Sequence, residues 1–146
     1  MSPGLSICYV QRYGQRILEY VETFNFSGAG FSARHLNPYS KDIAKIGVKE
    51  LAYQEEKAPI IWALMNDGSL AGCTYRRVSK FVTDAPTVEA WHTHAVGDAV
   101  TVNSMAVSPG VSAWGVNDTS DYLYLNTIDA NSQGWVEVMR PIFEDA

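Results

Sequence analysis

Two of the chain's three histidines, His92 and His94, stand two residues apart in the stretch "AWHTHAVGD", with Asp98 close behind. On an extended strand, side chains two apart point to the same side, so both imidazoles could meet one metal ion and Asp98 could be a third ligand. Metal chemistry needs three or four convergent ligands. No histidine follows His94, His35 lies far upstream among turn-forming residues, and Gly97-Asp98 itself reads as a tight turn. The residue pattern therefore favours a structural strand, with Trp91 in the core and the two histidines on the other face, hydrogen-bonding locally or at an interface. Replacing both histidines is then expected to leave stability nearly unchanged.

Other chemistry has less to stand on. Ser104 and Ser108 lie in no Gly-x-Ser-x-Gly elbow, and Cys73, with His92 or His94 as its base, would have to act from a strand that reads as buried. Cys8 and Cys73 lack metal-type spacing and suit two buried thiols in a reducing compartment. Glu55 and Glu56 are adjacent, so on a strand they point to opposite sides and cannot converge on one substrate atom. The "GAG" of residues 28–30 lacks the following helix and lysine of a phosphate loop. Tyr122 and Tyr124 share a strand face and, with Trp114 nearby, could stack on a sugar, although cross-strand aromatic packing is the favoured explanation. No catalytic, cofactor-binding or metal-ligating residue is assigned, and no enzyme is expected.

The elements that position these residues read as strands. The chain has 146 residues, which suits a single β-rich domain over 1–146. Eight tyrosines, five phenylalanines and four tryptophans favour pleated, half-buried surfaces. "LSICYVQR" and "QRILEYVET" suggest a hairpin around Tyr13-Gly14, and "FNFSGAGFSARHLNPYS" a long connection. "SKDIAKI" suggests a short helical turn capped by Ser40. "GVKELAYQEE" then begins a run of four strands between residues 47 and 96, the best-defined unit.

Its centre is the hairpin "PIIWALMNDGSLAGCTYRR", turned at Asp67-Gly68. Ile60, Trp62 and Leu64 face one way and Ile61, Ala63 and Met65 the other, so both faces of this strand should be buried. After the loop "FVTDAPT", "VEAWHTHAV" is the fourth strand. "AVTVNSMAVS", "DYLYLNTI" and "GWVEVMR" form a second, partial unit over residues 97–146. The expected architecture is all-β, with short antiparallel strands of propeller-blade character: one four-stranded blade and part of another. Two blades cannot close a ring, so open edges would have to pack against something else.

With sixteen acidic against eleven basic residues, the formal net charge is -5, and no basic stripe is present to follow a phosphate backbone. Specific nucleic-acid binding is not expected. The start "MSPGLSICYVQR" lacks the pattern of a signal peptide, and no stretch is long and apolar enough to span a bilayer.

Taken in order, several positions resemble a segment of bacteriophage tail proteins, the tail nozzle, tail tube or hub components of short-tailed phages. They are His35 and Leu36, Tyr53 and Gln54, Pro59, Trp62, Asp67 and Gly68, Thr74 and Tyr75, the Ala-Trp-His-x-His of residues 90–94, and Glu137. Members of that family are usually several times longer, and "VSAWGVNDT" departs from the pattern. The resemblance implies a non-catalytic virion component, made in the bacterial host's cytoplasm. It would assemble with copies of itself or other tail proteins around the channel through which DNA leaves, without gripping the DNA. A different resemblance, carried by His92, His94 and Asp98 alone, is to the His-x-His of cupins, small metal-binding β-barrels; these supply a further histidine from a later strand, which this chain lacks. A cupin-like metal protein and a carbohydrate-binding β module remain the alternatives.

Overall fold

A computed structural model describes residues 6–25, 28–56, 58–76, 88–97, 99–109 and 120–139. These residues form ten strands: β1 (Ser6–Val10), β2 (Ile17–Asn25), β3 (Gly28–His35), β4 (Val48–Gln54), β5 (Ile60–Met65), β6 (Leu70–Arg76), β7 (Val88–His94), β8 (Thr101–Pro109), β9 (Asp121–Ile128) and β10 (Gly134–Met139). They make three antiparallel sheets of consecutive strands, β1-β2-β3, β4-β5-β6-β7 and β8-β9-β10.

The four-stranded sheet lies between the other two, because the alternation of β5 serves two cores. Ile61, Ala63 and Met65 pack with Cys8, Ile17 and Leu36 of the first sheet and its exit. Trp62 and Leu64 pack with Leu70 and with Val102, Leu123 and Leu125 of the third. Each such aliphatic side chain contributes about 1.5–3 kcal/mol on full burial. The expectation that both faces of this strand are buried therefore holds.

Turn chemistry fixes the registers. In the β5–β6 loop the Gly68 amide donates to the Met65 carbonyl at 3.0 Å, and the Asp67 carboxylate accepts from the Ser69 amide (3.0 Å) and hydroxyl (2.6 Å). Those bonds to Ser69 hold the Asp67 carboxyl below the usual carboxylate range. Within this loop Gly68 alone has a positive φ, +82°, and an added Cβ there would lie 2.3 Å from Thr101. Asp129 closes the β9–β10 hairpin in a similar way, accepting from the amides of Asn131 (2.8 Å) and Gln133 (2.9 Å).

Two bulges face one another between the second and third sheets. The pairing skips Lys49 in β4 and Asn103 in β8, and the Lys49 ammonium donates to the Asn103 carbonyl at 2.5 Å.

Two expectations are corrected. The segment expected to be a long connection contains β3, which pairs with β2 from Leu18↔His35 to Asn25↔Gly28. Its identity comes from its hydrogen-bonded neighbour, since two glycines and an inward arginine hide any apolar alternation. The four-then-three grouping holds as the sheets β4–β7 and β8–β10, and β3 turns the upstream hairpin into a further three-stranded sheet. β7 and β8 belong to different sheets, and no closed propeller ring is formed by the described residues. The expected helical turn is a run of turns, with Ile43 N–Ser40 O at 3.2 Å and Gly47 N–Ala44 O at 3.0 Å. So short a segment does not repay helix nucleation, and Gly47, at φ +94°, ends it.

Candidate functional site

His92 and His94 do share one face of β7, the edge strand of the middle sheet, at the rim of the core shared with the third sheet. Hydrogen-bonded neighbours form two rows across that face, Ala52–Trp62–Gly72–His92 and Glu50–Leu64–Leu70–His94. Gly72 has no side chain, and the His92 ring occupies that space: a Cβ on Gly72 would lie 2.4 Å from His92 Cε1. His94 meets the Trp62 ring edge-on at a centroid distance of 4.9 Å, and His92 does so at 6.2 Å. The two imidazoles converge, His92 Nδ1 to His94 Nε2 at 2.6 Å. One ring donates and the other accepts.

Burial pushes the pKa of His92 down. Burial and then the neighbouring charge of His92 push His94 down as well. Because the folded-state values lie below the ordinary one of about 6.5, the unfolded chain takes up protons first. The pair's contribution to stability is complete above about pH 6.5 and is lost as the pH falls from there. Urea midpoints should therefore drop more steeply on acidification in the wild type than in an H92Q/H94Q variant, with the two nearly equal at neutral pH. Parallel acid limbs would show that the pair does not titrate between folded and unfolded states. Gly72→Ala should cost about 1–3 kcal/mol through overpacking, and should return the His92 titration, followed by imidazole NMR, toward its solvent value.

Trp91 lies on the opposite face, packed against the first core, with its indole N–H donating to the Leu36 carbonyl at 2.7 Å. Asp98 lies outside the described residues, as do Trp114 and the stretches "FVTDAPT" and "VSAWGVNDT". Among the described residues, no three His, Cys, Asp or Glu side chains converge as a metal site.

A second polar cluster joins the first and second sheets. Glu19, fully buried, is cross-strand from Arg34, and Tyr75 is cross-strand from Glu89. Arg34 donates two hydrogen bonds to Glu19 Oε2, at 2.6 and 3.2 Å. The Tyr75 hydroxyl donates to the other Glu19 oxygen and lies 3.4 Å from the Ser6 hydroxyl. Glu89 Oε1 sits 2.6 Å from Arg34 Nη2 but off its N–H direction, so this contact is an ion pair without a hydrogen bond. Burial alone would lower the Arg34 pKa, but the Glu19 hydrogen bond and the charges of Glu89 and Glu19 outweigh it and raise the value. Sealed from solvent, the Glu19 carboxylate clamps one layer to the next. Sequence reasoning missed this cluster, although a glutamate between Ile17 and Val21 on an inward strand face was a readable signal.

The remaining candidates stay apart. Cys8 and Cys73 are buried and form no disulfide, and burial pushes the Cys73 thiol up to about 12. Glu55 and Glu56 follow β4, and their backbone amides donate to Asp121 Oδ2 at 2.7 and 3.0 Å. Ser104 and Ser108 lie on β8, Gly28 to Gly30 open β3, and Tyr122 and Tyr124 share the outer face of β9. The third sheet is thus tied to the second by Asp121 and by Glu50, which accepts from the Met105 amide at 3.0 Å. Compared with known proteins, the chain matches no family model, no curated protein and no solved structure.

Proposed function

We propose that this chain is a non-catalytic structural component of a bacteriophage tail, of the nozzle, tube or hub kind, which assembles through its β faces and edges. The observation that carries the reading is the apolar character of both outer layers. Ile7 and Phe31 are 51% and 64% exposed on the outer face of the first sheet, and Val136 is 76% exposed on that of the third. Tyr20 stacks on Phe31 there, with centroids 5.1 Å apart. Surfaces of this kind suit a protein that finishes burying its faces against neighbours.

Propeller-blade character is part of the proposal. Consecutive meanders stacked face to face, the middle one covered on both sides, are the arrangement in which blades pack. Its partners would be copies of itself or other tail proteins, in a virion assembled from protein made in the host cytoplasm. The ordered resemblance of residues 35–137 supports the tail assignment, and the formal charge of -5 suits a passage that does not hold DNA.

Size-exclusion chromatography with light scattering tests the assembly. A defined oligomer that dissociates when Phe31 and Val136 are replaced by aspartate is expected. A monomer at high concentration, in the presence of candidate tail partners that it fails to bind, would sink the reading.

A further inference from the structure

We propose that copies of this chain join head to tail, the outer face of the third sheet of one copy lying on the outer face of the first sheet of the next, an arrangement that rests on the assembly reading above. The register of β8, β9 and β10 sets Ser104, Asn126 and Val136 in one cross-strand row and Ala106, Tyr124 and Val138 in the next, on the side away from Leu123 and Leu125. No Asp, Glu, Lys or Arg stands at an outward position on these three strands. A sheet face left to water turns polar side chains outward, whereas Tyr124, Ile128, Val136 and Val138 all lie exposed on this one.

The outer face of the first sheet has the same width, three strands, and a different relief. Ile7 pairs with Tyr20 and Tyr20 with Ala33, and the Tyr20 ring stacks on that of Phe31 at an interplanar angle of 9°, forming an aromatic ridge. The third sheet is low along β8, where Ser104 and Ala106 offer a bed in which such a ridge can lie. Stacking like on like would set ridge against ridge in one contact and leave the low row unfilled in the other, and an interface core needs the close packing of an interior. Extent points the same way. At about 4.8 Å between strands and about 3.4 Å per residue, three strands of about eight residues cover about 400 Å2. A copy that uses both faces places about 800 Å2 in contact, as each partner does in a standard stable complex, whereas a two-fold pair through one face covers half of that. Contacts between unlike faces are heterologous, and repeated they close a ring or extend a row.

Sedimentation of Phe31→Asp and Val136→Asp at high concentration, separately and mixed in equal amounts, tests the pairing. Each variant lacks one of the two faces, so each alone should be a monomer. In the mixture the intact third sheet of the first variant meets the intact first sheet of the second, and the mass should double. The wild type, with both faces, should be larger than that pair. Should either variant lose its β-sheet circular dichroism, Ile7→Asp and Val138→Asp replace them on the same faces. Dimers of either variant alone would show like faces pairing and overturn the arrangement, while leaving assembly through these faces in place. A mixture that stays monomeric, or a monomeric wild type, would overturn it too, and the tail reading would then stand or fall on binding to other tail proteins.

Discussion

Replacing Trp62 by alanine is expected to cost about 3–5 kcal/mol of unfolding free energy, the range for removing a large aromatic from a close-packed core. Trp62 is only 3% exposed and sits among Leu64, Leu70, Val102, Leu123 and Leu125, where the second and third sheets meet. Its indole N–H donates to Gln54 Oε1 at 3.0 Å, so truncation also strands a buried amide oxygen. His94 would lose the ring it packs against. Denaturant unfolding of Trp62→Ala should therefore show a large fall in midpoint, and Trp62→Phe, which keeps most of the volume but not the donor, a smaller one. A loss below about 1 kcal/mol for Trp62→Ala would mean that this layer is not packed as described.

The second large effect is expected at the clamp between the first two sheets. Arg34→Met should cost about 1.5–3 kcal/mol, the range for losing hydrogen bonds to a charged group, because Glu19 would remain buried without its cation. Arg34 is itself half exposed, which keeps the cost below that of severing a fully buried pair. A carboxylate left in that position is driven toward its neutral form. The unfolded chain would then ionise first, so the variant loses stability as the pH rises through the carboxylate range and recovers part of it on acidification. Removing both charges, as Glu19→Gln with Arg34→Met, should restore much of the loss. Chemical denaturation at several pH values measures all three variants, and a deficit in Arg34→Met that does not change with pH would exclude a stranded carboxylate as its cause.

Period and turn chemistry along single segments already specify part of this fold. The two-sided burial of β5, the hairpin at Asp67 and Gly68, the four strands between residues 47 and 96, and the common face of His92 and His94 all follow from alternation along one segment. The β1–β2 hairpin around Gly14 does too, with that glycine at φ +75°. The rest comes from contacts between segments distant along the chain. β3 is a strand because β2 supplies its hydrogen-bond partner, and its own residues carry no alternation that would announce it. The Glu19–Arg34–Glu89–Tyr75 cluster draws on four strands of two sheets, so no local spacing contains it. That His92 and His94 meet each other over Gly72, against Trp62, depends on which strands are neighbours. Pairing and layering are long-range choices, made by which buried faces fit together, and a one-dimensional pattern records only that such faces exist.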